Sequence, residues 1–233
     1  MESMALGTSV NLGTALGQAL LVLIPMILSL TVHEFAHAWA ARGLGDDTAE
    51  QMGRFNLNPL SHIDPVGTVL LPLVFLMAGS MSGGARLPFF GWARPVPYDP
   101  RRFRRAVSVR WGTTWVAAAG PLSNLVLAIA SAMLLALGLR GVLPLPAAGQ
   151  HLCIQMVQIN VALFVFNLLP IAPLDGQKVV SGFLSPSLAW HYERFNQQYG
   201  TFLLIGIIFI GRGIILYPVL FVTRTVLSLV GLN

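Results

Sequence analysis

The chain has 233 residues, of which 55% are hydrophobic and only 10% charged, and its mean hydropathy is +0.71. Soluble domains carry about 25% charged residues, so this composition argues against a water-facing globule and for a bilayer as the main solvent. The net charge is +5, but the arginines cluster beside apolar segments and no aromatic-interleaved basic surface is expected, which disfavours nucleic acid as a partner and suits charges that fix membrane orientation.

Residues 1–20 have no basic start, and their apolar run continues into a polar motif, so no cleavable signal peptide is expected there. Residues 13–42 predict one long helix, which at about 1.5 Å per residue exceeds the roughly 30 Å hydrocarbon core. Residues 43–64 are polar and rich in Gly, Asn and Asp, and are expected to form a loop with short β-like strands. Residues 66–79 are apolar but reach only about 21 Å as a helix. A Gly- and Pro-rich stretch follows, ending in a basic run whose Arg101, Arg102, Arg104 and Arg105 suit acidic lipid headgroups. Residues 111–139 and 151–169 predict two further spanning helices, joined by a short connector containing proline. A polar stretch at 191–198 precedes an apolar segment at 199–220, and the remaining residues suit the membrane interface. The single cysteine, Cys153, cannot form an internal disulfide.

The chemistry sits in His33-Glu34-Phe35-Ala36-His37, an H-E-x-x-H pattern within the first helix. Residues four apart lie on one helix face, so both imidazoles can reach one metal ion. Glu34, about 100° round the helix, can instead contact water activated by that metal and take its proton. Such residues are costly inside an apolar helix and need partners, which a metal supplies. The plainer alternative is a set of inert, hydrogen-bonded interfacial groups.

Catalytic zinc takes three protein ligands and keeps a fourth position open. Asp175 is the candidate third ligand, because it abuts an apolar span within the Pro- and Gly-containing break at 170–176. Alternatively, it caps the helix that follows. Asn124 can donate to a developing oxyanion or bind substrate backbone, or it can bond helices together. Asn167 has the same two readings, the functional one being to shape the Asp175 loop, whereas Asn160 reads as interhelical glue. His62, His151 and His191 read as structural or interfacial. Gly43, Gly45, Gly120 and Ser123 suggest close backbone approach without chemistry.

Three motifs in order, HEFAH at 33–37, AGPLSN at 119–124 and NLLPIAPLDG at 167–176, resemble the site-2 protease family of intramembrane metalloproteases over roughly residues 27–199. The resemblance implies one zinc ion held by His33, His37 and Asp175, with Glu34 as general base and Asn124 near the active site. It also implies cleavage in or beside the transmembrane segment of a membrane-protein substrate. The short connector between the second and third long helices leaves no room for a PDZ-like insertion, as in compact members. Gln177 departs from the family, where another glycine is common, and this bears on local backbone shape.

If His33, His37 and Asp175 share one metal, the first helix and the one before Asp175 must run parallel, so residues 66–79 cannot form a lone crossing. They are expected to enter and return, with the turn at 80–84 and an extended return limb reaching Trp92. The expected fold is therefore an all-α polytopic membrane protein with about four spanning helices, a re-entrant apolar segment and short loop strands. Residues 1–233 are expected to form one membrane-embedded protease domain in a prokaryotic cytoplasmic membrane, acting on a single-pass substrate. A zinc transporter would spread carboxylates and histidines over several spans, and a non-catalytic scaffold would lack Glu34; neither matches the sequence.

Overall fold

The computed structural model describes residues 12–74 and 91–232. The first long helix, α1 (Leu12–Gly43), contains Pro25 and carries the HEFAH motif near its C-terminal end. Short helices α2 (Thr48–Gln51) and α3 (Pro59–His62) occupy the polar stretch where strands were expected. No strand is assigned among the described residues. The reason is local: Asn58 and Asp64 each precede a proline and accept hydrogen bonds from the next free backbone N–H groups. A capping side chain followed by proline at the first helical position starts a helix. The second such step opens α4 (Pro65–Val74), whose first turns are π-helical over Pro65–Leu70.

The other long elements are α5 (Val109–Leu139) and α6 (Ala147–Asn167), followed by the shorter α7 (Asp175–Phe183), α8 (Pro186–Phe209) and α9 (Arg212–Leu229). Three helices, over Leu21–Gly43, Val109–Leu139 and Ala147–Asn167, are long and apolar enough to cross a bilayer. The fourth expected span is not one straight helix: α8 and α9 meet at a 71° bend and together offer at most one broken span. Gly206, Gly211 and Gly213 weaken helix propensity around that break.

Side-chain pairings give the relative directions. Ser29 of α1 touches Asn160 of α6, while His33 and His37 touch Asn124 and Val116 of α5. Moving up α1 from 29 to 37 thus moves down α5 from 124 to 116, so these helices are antiparallel. The end of α6 leads to Asp175 beside both histidines, so α6 runs parallel to α1. Ala128 and Ala132 of α5 pack with Val157, Val161 and Val165 of α6 and Val226 of α9 in the largest core cluster. Small residues at the α5 contact let the backbones approach closely.

At the end of the bundle shared by Gly43 and Val109, loops form a hydrogen-bonded layer. Buried Asp46 accepts from Thr48 through Oδ1 and from the Asp99 N–H through Oδ2. Within this layer the chain leaves through α4 and is back beside its start by Trp92. The Trp92 N–H donates to the Gly67 carbonyl at 3.2 Å, and the Thr68 hydroxyl donates to the Trp92 carbonyl at 2.7 Å. The expected turn at 80–84 and most of the return limb lie outside the described residues. The limb's described end, residues 91–99, carries neither helix nor strand, and Asp99 has extended backbone.

Candidate metal centre

His33 and His37 are buried and point from α1 toward the start of α7. Their Nε2 atoms lie 3.1 Å apart, and Asp175 Oδ2 lies 3.2 Å from each. The three atoms thus form a nearly equilateral triangle. A tetrahedral ion with bonds of about 2.0–2.1 Å spaces its ligand atoms roughly 3.3 Å apart, so two imidazole nitrogens and one carboxylate oxygen fit zinc in chemistry and in spacing. Among the described residues this is the one such cluster of His, Cys, Asp and Glu.

Each imidazole is held from behind. His33 Nδ1 lies 2.6 Å from Asn124 Oδ1, and His37 Nδ1 lies 2.7 Å from the Val116 carbonyl oxygen. With Nδ1–H donated to an acceptor, Nε2 keeps its lone pair for a cation, and the ring orientation is fixed. The rings fit because residue 120 has no side chain. A Cβ there would lie 2.4 Å from His37 Nε2 and 2.7 Å from His33 Cε1. The close approach expected of Gly120 is therefore made to the two candidate ligands themselves.

Asp175 is the first residue of α7, after a non-helical link at 168–174, and not the last of the preceding helix. The helix N-cap is Leu174, so Asp175 occupies the first turn, where a carboxylate also suits the helix dipole. Gly176 lets α7 start against the link, since a Cβ there would lie 2.3 Å from the Leu168 carbonyl oxygen. The link is held from α8. Asn196 Oδ1 accepts the Ala172 N–H at 2.8 Å, and the Tyr192 hydroxyl donates to the Pro170 carbonyl at 2.7 Å. Sequence reasoning passed over both residues. Their spacing of one helical turn, in a stretch read only as polar, was the available signal. The Asn167 side chain donates to the Leu163 carbonyl, one turn back in its own helix. Replacing Asn196 with leucine is expected to leave the Ala172 N–H unpaired, costing about 1–3 kcal/mol. Thermal unfolding in detergent with and without zinc would measure this, and the loss of stability should be accompanied by weaker zinc retention.

Glu34 is buried beside the histidines, and its Oε2 accepts the Val96 N–H at 2.8 Å. The same limb is clamped further back, where the Arg94 N–H donates to the His62 carbonyl and Arg54 Nη2 donates to the Arg94 carbonyl at 2.8 Å. Burial and neighbouring Arg94 lower the Arg54 guanidinium from its ordinary value, while the nearby Glu34 charge works in the opposite direction. Asn124 lies near the middle of α5, fully buried behind His33, and its NH2 group donates to Asn160 Oδ1 at 2.9 Å. His62 is buried with Nε2 against the Asn56 carbonyl, away from the cluster.

A bundle of apolar helices with two histidines and an aspartate converging beside a buried glutamate defines the class of membrane-embedded metalloenzymes. The comparisons narrow this. The profile of peptidase family M50 matches residues 144–210. A Bacillus subtilis (strain 168) protein named as a zinc metalloprotease, YwhC, is 39% identical over 171 residues, covering 72% of this chain and 70% of its own length. The Mycolicibacterium smegmatis protein Rip2, similarly named, is 32% identical over 174 residues, covering 73% of this chain and 60% of its own. Rip2 of Mycobacterium tuberculosis H37Rv is 29% identical over 191 residues. No solved structure gives a significant match. The chain belongs to the M50 zinc metalloproteases, the site-2 protease family that its motifs resemble, and is a multi-pass membrane protein.

Proposed function

We propose that this chain is an intramembrane protease that cuts a peptide bond in or beside the transmembrane segment of a single-pass protein in a prokaryotic cytoplasmic membrane. We also propose that it works as one membrane-embedded unit. The observation that carries this reading is the triangle of His33 Nε2, His37 Nε2 and Asp175 Oδ2 between helices apolar enough to span. These three residues would hold zinc. When bound, the ion supplies Lewis acidity, acidifying water and polarising a carbonyl. Glu34, anchored at Oε2 by the Val96 N–H, takes the proton through its other carboxylate oxygen and passes it to the leaving nitrogen. His33 and His37 stay fixed through their Nδ1 bonds, which avoids reorganisation during the reaction.

A helical amide is shielded by its own hydrogen bonds, so the substrate must unwind locally. The non-helical limb at 91–99 is the segment whose backbone groups would pair with such a strand. The Gly67–Trp92 pairing supports a re-entrant course for the apolar segment starting at Pro65, since the chain departs from and returns to one level. Segment length supports it too, because the apolar run at 66–79 would reach only about 21 Å as a helix.

The test is reconstitution of the purified protein into lipid vesicles with a single-pass substrate, followed by mass spectrometry of the products. The expected cut maps within or next to the membrane segment, stops on chelation and resumes with added zinc. Cleavage confined to a distant soluble region, or indifferent to chelation, would refute the proposal.

A further inference from the structure

Behind His33 lies a chain of polar groups that the proposed reaction does not use. Ser29, Asn124 and Asn160 are each 0% exposed, and they sit on α1, α5 and α6 where those helices meet. Burying so many polar groups among apolar helices is costly unless every one is paired. Here all of them are.

Backbone carbonyls, which can only accept, fix the direction of the chain. The Ser29 hydroxyl donates to the Pro25 carbonyl at 2.7 Å, so its oxygen is free to accept from Asn160 Nδ2 at 2.9 Å. Asn160 Nδ2 also donates to the Met156 carbonyl at 2.8 Å. The Asn160 amide is therefore oriented with its oxygen toward Asn124, whose Nδ2 donates to it at 2.9 Å. That NH2 group also faces the Ser29 carbonyl at 3.4 Å, which favours the same orientation independently. Asn124 Oδ1 is left toward His33 Nδ1 at 2.6 Å, where it can only accept a hydrogen bond. Reversing the chain would place NH2 groups against NH2 groups or carbonyls against carbonyls.

We propose that Asn160 and Ser29 are positioning residues for the metal centre, imposing through Asn124 the His33 tautomer that carries its proton on Nδ1. The opposite tautomer would carry a proton on Nε2 and could not ligate. His37 needs no such relay, because the Val116 carbonyl dictates its tautomer directly. The inference rests on the metal-site reading for its consequence, but the tautomer itself can be measured without metal.

The experiment uses the full chain in detergent, labelled with 15N-histidine, and measures the zinc-free His33 tautomer by NMR and zinc affinity by chelator competition. His33→Ala assigns the resonance and separately tests the ligand role. Asn160→Leu is expected to give mixed His33 tautomers and to weaken zinc binding about tenfold, the low end for lost partners behind a metal ligand. Asn160→Asp, entering as the neutral acid, still accepts from Asn124 and is expected to keep the Nδ1–H tautomer and near-normal zinc affinity. Ser29→Ala is expected to act in the same direction as Asn160→Leu but more weakly, and it serves if the leucine variant does not fold. A wild-type tautomer protonated on Nε2 would overturn the proposal. So would a folded Asn160→Leu with unchanged tautomer and affinity, or Asp and Leu variants that lose zinc equally. Loss of zinc binding in every variant and in wild type, with the tautomer pattern as expected, would instead indict the metal-site reading alone.

Discussion

Replacing Glu34 with glutamine is expected to lower the rate of substrate cleavage by about 10²–10⁴-fold, the usual contribution of a general base, while leaving bound zinc unchanged. Glutamine preserves the shape of the side chain, and its carbonyl oxygen can still accept the Val96 N–H that Glu34 Oε2 accepts. What it cannot do is take a proton at neutral pH. The measurement pairs initial rates on a single-pass substrate with metal content of the purified variant. Cleavage within tenfold of wild type would remove Glu34 from the proton path. A variant that lost zinc along with activity would show that Glu34 supports the site and not the reaction.

The second large effect is expected at Gly120. In a free helix, alanine is favoured over glycine by up to about 1 kcal/mol, so Gly120→Ala ought to help α5. Here the added carbon would lie 2.4 Å from His37 Nε2 and 2.5 Å from His37 Cε1, closer than such contacts can be. The rings can yield only by giving up their bonds to Asn124 and Val116. Zinc affinity is therefore expected to fall by about 100-fold, the upper end for disturbance behind or beside ligands. Chelator competition measures this directly. Affinity within threefold of wild type would mean that the imidazoles have more room than the structure gives them.

Gly120 also marks the limit of what the sequence disclosed. HEFAH within an apolar run is a local pattern with a helical period, so the two histidines and their helix could be read without tertiary information. Asp175 was reachable because carboxylates beside apolar spans are few. The parallel course of α1 and α6 followed from requiring those ligands to meet. By contrast, the neighbour that faces Gly120, the bonding of Asn124 to Asn160 and the hold of Asn196 on the link before Asp175 all depend on how helices distant in sequence are set against one another. No local period encodes that. The polar stretch after α1 was misread for another reason: Asn58-Pro59 and Asp64-Pro65 are acceptable both as turns and as helix starts, and the structure uses them as starts. The apolar segment at 199–220 looked continuous by composition, yet it breaks between α8 and α9.

If the proposed cleavage of a transmembrane segment holds, the position of the cluster along α1 would set the outcome for the substrate. His37 lies about 9 Å from the Gly43 end of that helix and about 24 Å from Leu21, where its apolar span begins. A substrate crossing alongside would be divided into unequal stumps. The shorter would hold too few apolar residues to stay inserted and would leave the bilayer, and the longer would remain moored on the far side. On the proposed reading, off-centre placement would make the shorter product the one that leaves the bilayer.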